Sequence, residues 1–377
     1  MIARCSVLCV LPCAALWCAV LPPVILTFHP ASRVSAAPIF ALATAPAAAS
    51  APNSARQSVG EVPDAQPPAA RTQPEKNGPR RTAKKAGPSI VWVNQMKSGQ
   101  SLPPRTQHLT FHSTLVDQDV GYCVYLPPGY ETDVQQRYPV IYNLHGNGGN
   151  EYTSLEAIRL LHTGIMDGRW PRMIMVLPNG GHSTFYKDSA DGRFPIESIF
   201  LQELLPCIDR EYRTIAKREG RCIEGFSMGG RGATRLAVKH PALFCSLFCQ
   251  AGNVPHLLET YDETPADLRP GLLLGADRSN WEANDVYALT TRHAPRLRQS
   301  LRIQIACGTK DGGHIRTIRD WHQHLLAENI DHTYIELEGL AHKRTEMMQR
   351  MQDVWFDYHV ESLKRVGTEL FFATAAK

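Results

Sequence analysis

Ser227 stands in Gly225-Phe226-Ser227-Met228-Gly229-Gly230, with a glycine two positions to either side. A serine hydroxyl is a poor nucleophile at neutral pH, so it needs an imidazole to take its proton. The imidazole in turn needs a carboxylate to fix its tautomer and stabilise its charged form. Later segments offer both groups: Asp311 in Cys307-Gly308-Thr309-Lys310-Asp311-Gly312-Gly313, and His342 at the end of Gly339-Leu340-Ala341-His342. The chain order Ser, Asp, His is one in which such triads occur. The chemistry implied is attack on an acyl carbonyl through a covalent intermediate. The resulting oxyanion needs backbone N–H donors, each worth roughly 10²–10³ in rate. Met228, directly after the serine, supplies one.

Each group also has a plainer reading. An aspartate just past a strand is commonly a turn former or helix cap. Asp285 and Glu338 stand as alternative acids. The chain has 15 histidines, and His314 lies nearer Asp311 in sequence than His342 does. His342 is the better base because it sits one β-unit beyond the acid, in a loop able to fold back over the serine.

The serine must be held on a sharp strand-to-helix turn, with glycines where neighbouring backbones approach it. An apolar run through Cys222-Ile223 enters the turn, and a helix over Arg231–His240 leaves it with its positive end at the serine. Further strands are predicted at Ser89–Asn94, Leu109–Ser113, Gly121–Leu126, Tyr138–Leu144, Met173–Leu177, Leu243–Ala251, Leu301–Cys307 and Thr333–Leu337. Helical spacing appears at Glu151–Ile165, Ile196–Tyr212, Trp281–Leu297, His314–Glu328 and Arg344–Lys364. Asn253–Asn280 reads as irregular, a candidate small lid. Strands alternating with helices imply an α/β fold with a mainly parallel sheet. Ligands bind where such strands end. That rim collects His145–Asn150, Ser183–Asp188, Ser227, Asp311 and His342.

A net charge of +4 is small for 377 residues, and much of the excess sits around Arg80-Arg81 and Lys84-Lys85. A nucleic-acid partner is therefore not expected. Residues 1–37 have the form of an export signal: Arg4, a mostly apolar run from Val7 to Phe28, then Val34-Ser35-Ala36 as a cleavage site, with Ala41-Leu42-Ala43 as another. That predicts a secreted or periplasmic protein. The run is long and broken by Pro12, Pro22 and Pro23, so an uncleaved membrane anchor is the rival reading. Residues 38–88 are rich in Ala, Pro, Ser and Arg and read as a disordered linker. Residues 89–366 form the expected catalytic domain, and 367–377 a tail. Of ten cysteines, Cys5, Cys9, Cys13 and Cys18 fall in the leader. The other six show no C-x-x-C spacing and are expected to be mostly free buried thiols, not metal ligands.

Tyr138-Pro139-Val140-Ile141-Tyr142-Asn143-Leu144-His145-Gly146, Glu203-Leu204-Leu205-Pro206 within Glu197–Arg213, the Ser227 motif and His240-Pro241-Ala242-Leu243-Phe244 together resemble the putative-esterase family. That family includes feruloyl and acetyl-xylan esterases, S-formylglutathione hydrolases and mycolyltransferase-type acyltransferases. Gly180-Gly181-His182-Ser183-Thr184-Phe185-Tyr186 and Trp281 with Asn284-Asp285 are similar to further family segments, so the likeness covers about residues 106–362. It implies an α/β-hydrolase fold without a large lid domain, Ser227, Asp311 and His342 as the triad, and Asn147 and Met228 as oxyanion donors. It also implies His145, Gly146, Ser183, Tyr186 and Trp281 as substrate contacts, with no metal or cofactor. The family often carries an aromatic after the histidine, where this chain has Lys343-Arg344. Its mycolyltransferases have aspartate where this chain has His145. The function expected is that of an exported serine carboxylesterase acting on acyl or feruloyl esters, on small molecules or polysaccharide. An acyltransferase with the same triad, an S-formylglutathione hydrolase and a non-catalytic binding module are the alternatives.

Overall fold

The computed structural model of the protein describes residues 90–262 and 273–367, all within one compact unit, Ala86–Lys377. The leader, the linker, Ser89, most of the C-terminal tail and residues 263–272 of the candidate lid lie outside the described residues. Apolar runs form β1 (Thr106–Ser113), β2 (Gln118–Tyr125), β3 (Val140–Leu144), β4 (Ile174–Pro178), β5 (Arg221–Phe226), β6 (Ser246–Gln250), β7 (Arg302–Gly308) and β8 (His332–Leu337). They make one sheet in the order β1-β2-β4-β3-β5-β6-β7-β8. β2 runs antiparallel to β1 and β4, and the remaining neighbours are parallel. Every residue of β3, β4 and β6 is buried, as strands covered on both faces must be. Helices including Leu155–Met166, Met228–Lys239, Val286–Ser300, Gly312–Ala327 and Asp357–Arg365 flank it. This is the α/β-hydrolase arrangement. No helix among the described residues is long and apolar enough to cross a membrane.

Four expected elements differ. Residues 90–94 are not a strand. Trp92 O accepts from Gly121 N–H, but the Asn179 side-chain amide then takes both Val91 O and Trp92 O. A side chain thus replaces the ladder. The helix expected over Trp281–Leu297 is two, Arg278–Glu282 and Val286–Ser300, because the Asp285 carboxylate accepts from Ala288 N–H and starts the second. The long C-terminal helix is likewise divided into Arg344–Met351 and Asp357–Arg365, and Trp355 and Phe356 drop into the core between them. In the Ile196–Tyr212 stretch, Ile199–Leu204 winds as a π-helix. The six cysteines of the described residues are free and buried, as expected.

The geometry that matters most for function lies where β5 turns into the helix Met228–Lys239. Leu144 at the end of β3 pairs in register with Gly225, and the helix crosses directly above both. A Cβ on Gly229 would sit 2.0 Å from the Leu144 carbonyl oxygen, and one on Gly225 2.5 Å from the Gly229 carbonyl carbon. Ser227, between them, has φ 57° and ψ −118°. A non-glycine residue persists there only where its surroundings hold it, at a cost of about 1–3 kcal/mol.

Two buried carboxylates are held by polar partners. Glu197 meets Arg235 at 2.5 Å, His240 at 2.7 Å and Lys239 at 3.0 Å. Burial works to raise its pKa, but Arg235, the His240 hydrogen bond and Lys239 outweigh it and hold the carboxyl well below the usual range. Glu224, fully buried on β5, accepts from Asn143 and Gln250 and lies 3.4 Å from His359 Nε2. Residues in contact across elements thereby tie the sheet to both ends of the chain's helical cover.

Two outcomes are expected. Glu197→Gln should lower the urea-unfolding free energy at pH 7 by about 3–5 kcal/mol, the cost of breaking a buried ion pair from one side. Because the folded pKa is depressed, that stabilisation is present above the unfolded carboxyl pKa of about 4.3 and fades as pH falls toward the folded value. Wild type and variant should therefore converge in acid, and a gap independent of pH would contradict the pairing. Gly229→Ala should destabilise by roughly 1–3 kcal/mol or more, as overpacking does, whereas Gly313→Ala, with open space around its Cβ, should leave the thermal midpoint nearly unchanged.

Candidate active site

The elbow places Ser227 at the sheet's C-terminal rim, its N–H donating to Gln250 O on the neighbouring β6. Met228, buried behind it, is the first residue of the helix, and first-turn N–H groups have no intrahelical acceptor. They are free to face an anion, and the helix dipole favours one there. The loop after β3 comes alongside. A Cβ on Gly146 would lie 3.6 Å from Ser227 Cβ, in ordinary contact with it. Asn147 follows, exposed, its side-chain oxygen accepting from the Ser183 hydroxyl. Gly148 N–H donates to His182 O at 2.8 Å. The loops after β3 and β4 are thus one assembly beside the serine.

The acid and base come from farther off. β8 lies three strands from β5 in the sheet order, about 14 Å at ~4.8 Å per strand, so the loop after β8 must fold back. Leu340, fully buried, anchors it: Lys310 N–H donates to Leu340 O, and Gly339 N–H donates to the Thr309 hydroxyl. A Cβ on Gly308 would meet that Leu340 oxygen at 2.1 Å. With the two loops stitched together, His342 Nδ1 lies 2.8 Å from Asp311 Oδ2 and His342 Nε2 lies 2.8 Å from Ser227 Oγ. An ionised carboxylate only accepts, so Nδ1–H donates to Asp311 and Nε2 accepts from the serine hydroxyl. The His342 ring packs against Phe226 at 4.6 Å. Asp311 does occupy the cap position of Gly312–Ala327, yet its side chain makes no capping bond. The Cys307 thiol lies 3.8 Å from Asp311 Oδ2, and burial and the carboxylate keep it protonated by raising its pKa.

Several other expected site residues do other work. Asp285 is fully buried, accepting from Leu257, Leu258 and Ala288 N–H groups. The Glu338 backbone oxygen takes the Arg350 guanidinium, and the side chain is exposed. His145, expected to touch substrate, is buried with both ring nitrogens engaged: Nε2 accepts from Gly180 N–H at 3.0 Å and Nδ1–H donates to Gly146 O at 2.9 Å. Burial lowers its pKa to about 4, against the raising effect of the Gly146 bond, so it is a neutral strut between the loops. Tyr186, fully buried, accepts from His145 N–H at 2.8 Å through its hydroxyl. Trp281 sits in a satellite cluster with Leu257 and Leu274 and donates to Gly275 O. His145 and Tyr186 thus support the loops after β3 and β4 from behind, while Gly146 lies beside Ser227. Phe226 as a wall for the histidine was not expected, and His314, weighed as a rival base, lies against Asp311 without contacting Ser227. Phe226 carried only the signal of being inside the motif, and His314 that of lying three positions from the acid on a helix.

The arrangement can polarise the Ser227 hydroxyl, receive its proton on His342 and stabilise a tetrahedral oxyanion at the helix start. Residues 113–352 match the family described as Putative esterase. The chain is 33% identical over 155 residues to an esterase of Mycobacterium tuberculosis, 40% of this chain and 32% of that protein. It is also 33% identical over 147 residues to an endo-1,4-beta-xylanase/feruloyl esterase of Xylanibacter ruminicola, covering 37% of this chain and 20% of the relative. The chain thus spans a third or less of the length of these curated relatives. Among solved structures, a ferulic acid esterase aligns with a TM-score of 0.57 at 24% identity, over 68% of this chain and 98% of that one. An S-formylglutathione hydrolase from Agrobacterium tumefaciens aligns with a TM-score of 0.56 at 21% identity, over 68% and 95%. Both share the fold described above. With the matched segment running from the end of β1 past the His342 loop, and so enclosing every residue of the candidate site, the chain belongs to the Putative esterase family.

Proposed function

We propose that this protein is an exported serine carboxylesterase. The observation that carries the reading is His342 bridging the Ser227 hydroxyl and the Asp311 carboxylate at 2.8 Å on each side. Ser227 Oγ attacks the ester carbonyl while its proton passes to His342 Nε2. The oxyanion is received by the N–H groups of Met228 and Asn147, and Asp311 stabilises the imidazolium. The C–O bond to the alcohol breaks as His342 returns the proton to the leaving oxygen. Water then attacks the acyl-enzyme with His342 again as base, releasing the acid and restoring Ser227.

Acyl or feruloyl groups on polysaccharide are the proposed substrates. Support comes from relatives named esterase and endo-1,4-beta-xylanase/feruloyl esterase, and from an acetyl esterase of Caldicellulosiruptor saccharolyticus that is 24% identical over 252 residues. The export-signal form of residues 1–37 fits a substrate met outside the cell.

The test is turnover of p-nitrophenyl acetate, butyrate and ferulate, and of acetylated and feruloylated xylan, by wild type and Ser227→Ala. Loss of the serine should cut kcat by roughly 10⁴-fold or more, as removal of a triad nucleophile does. Equal activity in both proteins would sink the mechanism. Release of neither acetate nor ferulate from xylan by an enzyme active on the small esters would sink the polysaccharide assignment alone.

A further inference from the structure

Asp311 has two carboxylate oxygens, and the mechanism uses only Oδ2. The other, Oδ1, lies 3.1 Å from Nδ1 of His314. The His314 ring also lies flat on the ring of His342, centroids 4.2 Å apart and planes 14° from parallel. One carboxylate is therefore shared by two stacked imidazoles, one of which contacts the serine.

The three groups hold their ligand atoms within 4.8 Å of one another, so a metal clasp is the first alternative. Imidazole lone pairs lie in the ring plane. Two nearly parallel rings direct them side by side and not toward a common point, which suits donation to a shared carboxylate better than chelation. Structural packing alone is the second alternative. Against it, His314 is only half-buried and its helix already begins at Asp311 without a capping bond from that side chain.

We propose that His314 is a positioning residue of this site: it fixes the Asp311 carboxylate from the far side and holds the His342 ring through its stack. The inference rests on the triad reading above. A neutral His314 donates Nδ1–H to Oδ1, so the carboxylate cannot rotate and Oδ2 stays on His342. As pH falls, two imidazoles in face contact cannot both become charged without repulsion. The charged and titratable groups that act on His314 are Asp311 from the end of β7 and His342 from the loop after β8. Burial first, and His342 second, lower the pKa of His314 itself, against the raising effect of Asp311. His314 thus remains neutral further into acid than a lone histidine on an aspartate would, because a carboxylate partner by itself favours the charged form.

The experiment compares wild type, His314→Phe and His314→Asn. Phenylalanine keeps a flat ring and loses the donor and the charge, whereas asparagine keeps a donor and loses the stack. Read-outs are kcat and KM for p-nitrophenyl acetate, and the pseudo-first-order rate of Ser227 labelling by a fluorophosphonate, each from pH 5 to 9. His314→Phe should lower kcat about tenfold, the low end for a lost supporting partner, with KM little changed. The labelling rate should fall with kcat. His314→Asn should recover part of kcat. Thermal midpoints check that both variants fold. A kcat and a labelling rate equal to wild type in both variants would overturn the proposal, as would a tenfold loss appearing in KM and not in kcat. If Ser227→Ala retains activity the triad reading fails first, and that result is distinct from a serine-dependent enzyme indifferent to His314.

Discussion

At the crossing of the Met228–Lys239 helix over the end of β3, two backbones meet with nothing between them. The closeness of Gly229 to the Leu144 carbonyl is a packing constraint, and the rest of the site inherits it. It brings the start of the helix down onto the rim, tips Ser227 into its positive-φ conformation and sets the loop after β3 beside the hydroxyl. Any side chain at Gly225 or Gly229 would lift the helix and separate Ser227 from the N–H groups of the helix start. The strain at Ser227 is tolerable because the elbow is held from both sides by in-register strands.

Beneath the rim, polar groups stand where an apolar core would be the simpler choice. Glu224 is three residues before the serine and fully buried, yet it accepts from Asn143 on β3 and Gln250 on β6, with His359 of the last helix 3.4 Å away. Ser246 completes the set with a 2.7 Å contact to His359. Such a network is costly if half made and rigidifying when complete. It joins three adjacent strands and the C-terminal helix directly under the elbow. Glu197 with Arg235 does the same on the other side, where Arg235 also donates to the Tyr186 carbonyl.

Imidazole is used in three different ways around one serine. His145 is sealed in and neutral, a strut between the loops after β3 and β4. His342 is partly open to solvent and touches the hydroxyl. His314 stands behind, on the far oxygen of the same carboxylate. Residue type is identical in all three, and what differs is burial and the identity of the partner on each ring nitrogen.

Local pattern was enough to read the alternation of strands and helices and the elbow with its paired glycines, because each depends on residues within a few positions of one another. The same locality explains the misses. Trp281–Leu297 and Arg344–Lys364 keep helical spacing throughout, but Asp285 and the buried Trp355 and Phe356 interrupt them through contacts made elsewhere in the chain. His145, Tyr186 and Trp281 sit in motif-like segments and yet face inward, since a period says which residues are apolar and not which side of a loop meets substrate. Above all, two histidines flank Asp311 in space, and composition gives no preference between them. That choice is made by loop closure: Leu340 buried over β7 returns the chain across three strands, and only a folded sheet supplies the surface on which that return can pack.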